Sequence, residues 1–147
     1  MERFEFRKAA AIEDRFAVQE LLRKIFIFEK SLFSETTLDD FSLNYDCLAV
    51  FFEGHPIAAA CFAMTGGNHD VLEIKCFAVA AEFRRQGVGR TLMKRIIENA
   101  GENPSEVLSV DTLAGARPFF ISFGFREIEK PRIMGSNAFV RMHKEFK

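Results

Sequence analysis

Three apolar, β-rich runs follow one another with almost no chain between them: Cys47 to Phe52, Ile57 to Met64 and Val71 to Val79. Glu53-Gly54-His55-Pro56 joins the first two, a short Gly- and Pro-containing connection of hairpin kind. Thr65-Gly66-Gly67-Asn68-His69-Asp70 is a second turn cluster. Such brief links suit antiparallel neighbours. Beyond Val79 the period changes. Val88, Leu92, Met93, Ile96, Ile97 and Ala100 fall on one helical face, Gly101 is a stop signal, and Val107 to Leu113 is another strand. Three antiparallel-type strands followed by strand-helix-strand units predict one sheet with helices on both faces.

The flanks fill in that plan. Phe4-Glu5-Phe6-Arg7 alternates as a first strand. Phe16, Leu21, Leu22, Ile25 and Phe26 mark an amphipathic helix from Ile12 to near Glu29, with Glu13 and Asp14 in the turn where carboxylates suit the dipole. Ser31 to Asn44 is polar and without clear period, with room for a short helix over Leu38 to Phe41. Ala116, Phe119, Phe120 and Phe123 define a short helix closed by Gly124, and Phe125 to Ile128 and Asn137 to His143 read as final strands. With 147 residues and neither linker nor repeat, the expectation is a single domain over 1–147.

Composition narrows the function classes. Twenty basic and 21 acidic residues give a net charge of −1, which disfavours nucleic acid as the main partner. The longest apolar run is the eight residues Ile57 to Met64, far short of a membrane span, and the charged start has no signal-peptide character. The expected compartment is the cytoplasm. Cys47, Cys61 and Cys76 sit in apolar runs without metal-ligand spacing and read as reduced core residues, and no metal site is expected. With 18 Phe, one Tyr and no Trp, Tyr45 is the only phenol available for proton chemistry.

Arg84-Arg85-Gln86-Gly87-Val88-Gly89-Arg90-Thr91 lies between a strand and a helix. Two glycines at a helix entrance let amides approach a ligand, and the dipole adds about half a positive charge, so an anion or pyrophosphate site is one reading. A solvated arginine-rich turn is the other. A P-loop is excluded because no Lys-Ser or Lys-Thr follows Gly89, and the dinucleotide fingerprint would need a third glycine at Leu92.

With Ala78-Val79 ahead of it, this loop resembles the GNAT N-acetyltransferase superfamily signature of Arg or Gln, two residues, Gly, one residue, then Gly or Ala. Ala116-Arg117-Pro118-Phe119-Phe120-Ile121-Ser122-Phe123-Gly124-Phe125 is similar to a second family motif, except that Phe120 stands where Tyr is usual. The resemblance implies an α/β (mixed α+β) fold of acyl-CoA N-acyltransferase type, with a single, mostly antiparallel central sheet. It implies acetyl-CoA as co-substrate and direct transfer to a primary amine of a small molecule, peptide or protein. Amides of Gln86, Gly87, Val88, Gly89, Arg90 and Thr91 would cradle the diphosphate, Arg84, Arg85 or Arg90 would meet its oxygens, and Phe77, Ala78 and Val79 would pair with pantetheine. A homodimer through an edge strand is compatible with the family.

The transfer requires a neutral amine, a donor where charge develops on the carbonyl oxygen, and a proton for the leaving thiolate. The resemblance implies Glu73 as base and the Phe77 amide as oxyanion donor. An ion pair of Glu73 with Lys75 is the alternative, and Asp111 and His69 are further base candidates. Phe120 has no proton to give. The thiolate then leaves unassisted, or Ser122 or Tyr45 serves, or the protein binds acyl-CoA as a sensor with little turnover. In the catalytic arrangement Phe119 and Phe123 pack on the sheet and Phe120 turns toward the sulfur. Leu32 to Asn44 and Ile133 to Ala138 are expected to shape the acceptor pocket.

Overall fold

The computed structural model describes residues 4–29, 45–65, 70–102 and 106–146. Strand β1 (Phe4–Lys8) leads to helix α1 (Ile12–Arg23), which continues as a π-helical segment, Lys24–Glu29. Strands β2 (Asp46–Phe52), β3 (His55–Thr65) and β4 (Val71–Val79) follow, then α2 (Val88–Glu102) and β5 (Val107–Leu113). The chain ends with α3 (Arg117–Ile121), β6 (Arg126–Glu127), β7 (Arg132–Met134) and β8 (Asn137–Glu145). The sheet order is β1-β2-β3-β4-β5-β8-β6, with β7 also paired to β8. Among the described residues every pairing is antiparallel except β4 with β5, whose connection through α2 is long enough for a parallel crossover.

The β2–β3 turn is tighter than its letters suggest. Glu53 and Gly54 both take positive φ, 51° and 83°, as a two-residue hairpin turn requires, and His55 and Pro56 already belong to β3. Pro56 pairs with Phe51 and Ala58 with Val50, so Ile57 is an extra residue beside a proline that has no N–H to contribute.

Each face of the sheet carries its own core. Val88, Leu92, Met93, Ile96 and Ala100 of α2 pack over Val50, Ala58, Ala60, Ile74, Leu108, Val110, Val140 and Met142. On the other face Val18, Leu21, Leu22, Ile25 and Phe26 cover Phe51 and the small residues Cys47, Ala49, Ala59, Cys61, Cys76 and Ala78, which admit a close helix. Phe16, expected on the buried stripe, is half exposed, and Val18 takes that place. Gly101 does not end α2, which runs to Glu102. β6 is shorter than expected, and β7 forms at the start of the segment expected to shape the acceptor pocket. The expected helix over Leu38 to Phe41 and the 32–44 pocket segment lie outside the described residues, as does His69.

Candidate active site

The site begins with one surplus residue. Ile74 of β4 faces Phe62 of β3 and Cys76 faces Cys61, so Lys75 has no partner on β3 and forms a bulge. The side-chain alternation therefore resets. Leu72 and Ile74 before the bulge, and Phe77 and Val79 after it, all join the α2-side core, while Cys76 and Ala78 face α1. At the same point β4 leaves β5: their parallel register covers Val71–Ile74 with Val107–Val110 and stops. Beyond it the two strands diverge around a cavity of about 660 Å³. Lys75 to Val79 line one side and Val110 to Leu113 the other.

Main-chain donors point into this fork. The Ala80 N–H donates to Ile57 O at 2.7 Å, so it faces β3. Antiparallel alternation sends the amides of Ala78 and Cys76 the same way and those of Phe77 and Val79 toward the cleft.

The glycine-arginine loop closes one end. Gly87 adopts φ 85° and Arg85 φ 64°, turning the chain sharply into α2. The Thr91 N–H and hydroxyl both donate to Gly87 O, at 3.0 and 2.9 Å, so Thr91 secures the turn and is already occupied. The amides just before it stand at the helix start without an intrahelical acceptor. Gln86 donates from its side chain to Glu82 O, and the Val88 side chain is core, which leaves their amides as their contribution. A Cβ on Gly89 would lie 3.4 Å from Val79 Cγ2 and 3.8 Å from the Phe77 ring.

The three arginines differ. Arg84 Nε donates to Val79 O at 2.8 Å and fixes the strand end. Arg90 donates to Ser122 Oγ and lies over the Phe123 ring. Arg85 lines the cavity and, among the described residues, has no ion-pair partner.

Phe120 also borders the cavity, yet it is 3% exposed, wedged edge-on against Phe77, Phe119 and Phe125. The expected division of α3 is thus corrected: Phe120 is the buried ring, and Phe119 and Phe123 are only half-buried. Consecutive helical residues are about 100° apart, and α3 directs position 120 into the core. Ser122 Oγ is turned back to Phe119 O at 2.6 Å.

The opposite end of the fork is polar. Asp111 lines the cavity and pairs with Arg132 and, at 4.0 Å, with Arg141, its direct neighbour across β8. Glu73 does not line it. Its carboxylate sits between Lys75 Nζ at 3.4 Å and Arg141 at 3.6 Å, so the anticipated ion pair with Lys75 is present. The Lys75 ammonium also approaches the Tyr45 ring. Arg132 and Arg141 were not singled out from the sequence, because only strand register carries them to Asp111. Ile25 and Phe26 of the π-helical segment complete the wall.

The family model for the acetyltransferase (GNAT) domain matches residues 28–146. The chain belongs to the GNAT acetyltransferase family. Solved structures agree on the fold. Escherichia coli ElaA superimposes with a TM-score of 0.86 at 17% identity, covering 97% of this chain and 100% of that one. The ribosomal-protein-S18-alanine N-acetyltransferase of Escherichia coli gives 0.78 at 19% identity, covering 97% and 94%. A GNAT family acetyltransferase from Elizabethkingia anophelis with acetyl-CoA bound gives 0.73 at 16%, covering 99% and 100%. The central, mostly antiparallel sheet with helices on both faces is thus the GNAT architecture, and it supports acyl-CoA-dependent acetyl transfer in general. No helix among the described residues is long and apolar enough to cross a membrane.

Proposed function

We propose that this GNAT protein transfers the acetyl group of acetyl-CoA directly to a primary amine in a ternary complex, the acceptor being a small molecule or an amine of a peptide or protein. The supporting observation is the fork between β4 and β5, where cleft-facing amides on one strand end beside a helix amino terminus. The donor set suits the coenzyme. Amides of Gln86, Gly87, Val88, Gly89 and Arg90 would hold the diphosphate, with Arg85 free to meet its oxygens. Val79 N–H would bind pantetheine as an added strand does. The bound thioester would supply the activated acetyl group, and Phe77 N–H would donate to its carbonyl oxygen, where charge develops. Free-thiol release from acetyl-CoA over an amine panel tests the reading; release no faster with any amine than without would overturn it.

Of the two carboxylates, Asp111 is the one bordering the cleft, and we assign it the acceptor's ammonium proton, with Glu73 holding Arg141 in place. Losing a general base costs about 10²- to 10⁴-fold. Asp111→Asn is expected to lose that much turnover, most severely at low pH where less amine is neutral. Glu73→Gln should lose under about tenfold, with coenzyme A affinity unchanged in both. A larger loss in Glu73→Gln across the same pH-rate profile would reverse the assignment.

The buried Phe120 favours a second reading, a coenzyme-binding module with slow turnover. On either reading Phe120→Tyr places a hydroxyl among rings, at about 1–3 kcal/mol if it is left unsatisfied. For a chain of this size each kcal/mol lowers Tm by about 2–4 °C. The expected result is a lower Tm with no rate gain. A several-fold faster variant of unchanged Tm would show that the hydroxyl reaches the cleft.

A further inference from the structure

Cys47, Cys61 and Cys76 form a continuous row. The register pairs Cys47 with Cys61 across β2 and β3, and Cys61 with Cys76 across β3 and β4. None of the three is in a disulfide, and all lie on the face under α1. Solvent contact is nil for Cys61 and 1% for Cys47, but Cys76 lies in the cavity wall beside Phe77. Of the three, Cys76, at 6% exposure, is the one that borders the cleft, so a reagent held there meets the row at Cys76. Lys75 follows from the bulge as well: as the surplus residue it shares the α1-side face with Cys76, where its ammonium meets Glu73.

The two pairings are not equivalent. Cys76 N–H faces β3, by alternation from Ala80, so Cys61 and Cys76 are a hydrogen-bonded pair. Cys61 then directs its main-chain groups to β4, and Cys47 directs its carbonyl away, to Ala9 N–H at 2.8 Å. Cys47 and Cys61 are thus a non-hydrogen-bonded pair. There the Cα atoms of opposed residues lie about 4.5 Å apart, at the short edge of the disulfide range, and those of a hydrogen-bonded pair about 5.5 Å apart, so either neighbouring pair can bridge. Hydrogen bonding from Cys61, aided by the charge of Arg15, pulls the Cys47 thiol below its ordinary value, whereas hydrogen bonds to Cys47 and Cys76 push Cys61 well up. The thiolate that ends the row is therefore favoured at Cys47. Three thiols in a line give no metal cage, and among the described residues no group of His, Cys, Asp or Glu is placed to hold a metal ion.

We propose that Cys76, Cys61 and Cys47 are a thiol relay that reduces a coenzyme A disulfide brought to the cleft. The identity of that disulfide rests on the coenzyme A reading of the cleft. In the first exchange the Cys76 thiolate attacks the disulfide, giving a Cys76–coenzyme A mixed disulfide and one coenzyme A thiol. Cys61 then displaces the second coenzyme A thiol, forming Cys61–Cys76. Cys47 finally attacks Cys61, leaving Cys47–Cys61 and returning Cys76 as a thiol. Two protein thiols are oxidised and one disulfide is reduced to two coenzyme A thiols, with each proton passing to the departing thiolate. The entry thiol is restored, and the oxidised pair is in the geometry that accommodates a disulfide.

The test is intact mass and peptide mapping of the full chain with coenzyme A disulfide, and in parallel with glutathione disulfide. Wild-type protein is expected to lose two hydrogens, retain no adduct and map to Cys47–Cys61. Cys61→Ala, which places an alanine beside Ala59 and Ala60, should instead hold one coenzyme A on Cys76. Cys76→Ala should react at least about tenfold more slowly, and coenzyme A disulfide should outpace glutathione disulfide by about tenfold or more, since binding raises its local concentration. An adduct on Cys47 in Cys76→Ala at the wild-type rate, or no adduct in Cys61→Ala, overturns the relay. A calorimetric titration of Cys76→Ala with coenzyme A separates the two claims. Binding retained in that variant, while wild-type protein reacts with coenzyme A disulfide no faster than with glutathione disulfide, sinks the relay alone, and absent binding sinks the coenzyme reading with it.

Discussion

Gly89→Glu is expected to weaken coenzyme A binding by about a hundredfold or more in Kd while the protein stays folded. Position 89 is the second residue of α2, and its Cβ would point at the Val79 and Phe77 side chains on the cleft side. A contact of 3.4 Å to a valine methyl is tight but met by a side chain that can yield. Two further effects offset it. Glutamate forms helix better than glycine by up to about 1 kcal/mol, and a carboxylate in the first helical turn gains about 0.3–1 kcal/mol from the dipole. The variant's own carboxylate thus takes the field that would otherwise hold the diphosphate, and repels it besides. Calorimetric titration checks affinity and thermal unfolding checks Tm, expected within about 4 °C of wild type. Gly89→Ala separates crowding from charge and should weaken binding by less than about tenfold. Wild-type affinity in the folded glutamate variant would remove the diphosphate from this helix terminus.

Much of this architecture was legible in the letters, because periodicity is a local signal. The α2 stripe of Val88, Leu92, Met93 and Ile96 is a regular 3.6-residue pattern, and the structure buries it as read. The β2–β3 hairpin was equally local, apart from where its turn ended. What escaped depends on partners distant in sequence. No residue type marks Lys75 as surplus; its status appears only when β4 is laid against β3. Phe119 and Phe120 are chemically identical, and the direction of α3 alone decides which is core. Arg132 and Arg141 reach Asp111 through β7 and β8, and β7 is only three residues long. The exposed Phe16 has another origin. Positions 16 and 18 are about 200° apart on a helix, so with Val18, Leu21 and Leu22 turned to the sheet Phe16 faces away from it.

Deleting Lys75 should unfold the protein or leave it with a grossly altered β4, whereas Lys75→Ala should preserve the fold. Ile74 and Phe77 both belong to the α2-side core although three positions separate them, an odd spacing that only an extra residue allows on an alternating strand. Without it, one side of β4 must slip by a position. If Phe77 and Val79 move, they enter the α1 face among Cys47, Ala59 and Cys61, where there is no room for an aromatic ring. If Leu72 and Ile74 move, the parallel register with Leu108 and Val110 is lost and Glu73 is driven toward the α2 core. Either slip removes at least one large side chain from its core, at about 3–5 kcal/mol for a phenylalanine or 2–5 for an isoleucine, before any cost of burying the wrong partner. That is a large part of an ordinary domain's total stability of about 5–15 kcal/mol. Lys75→Ala keeps the surplus residue and loses only the contacts to Glu73 and Tyr45, with the ammonium partly in water. Its expected stability loss is within about 1 kcal/mol. Thermal unfolding of the two variants side by side checks the argument. A deletion variant that melts like wild type would show that the fork between β4 and β5 does not depend on the bulge, and the placement of the Phe77 and Val79 amides would need another cause.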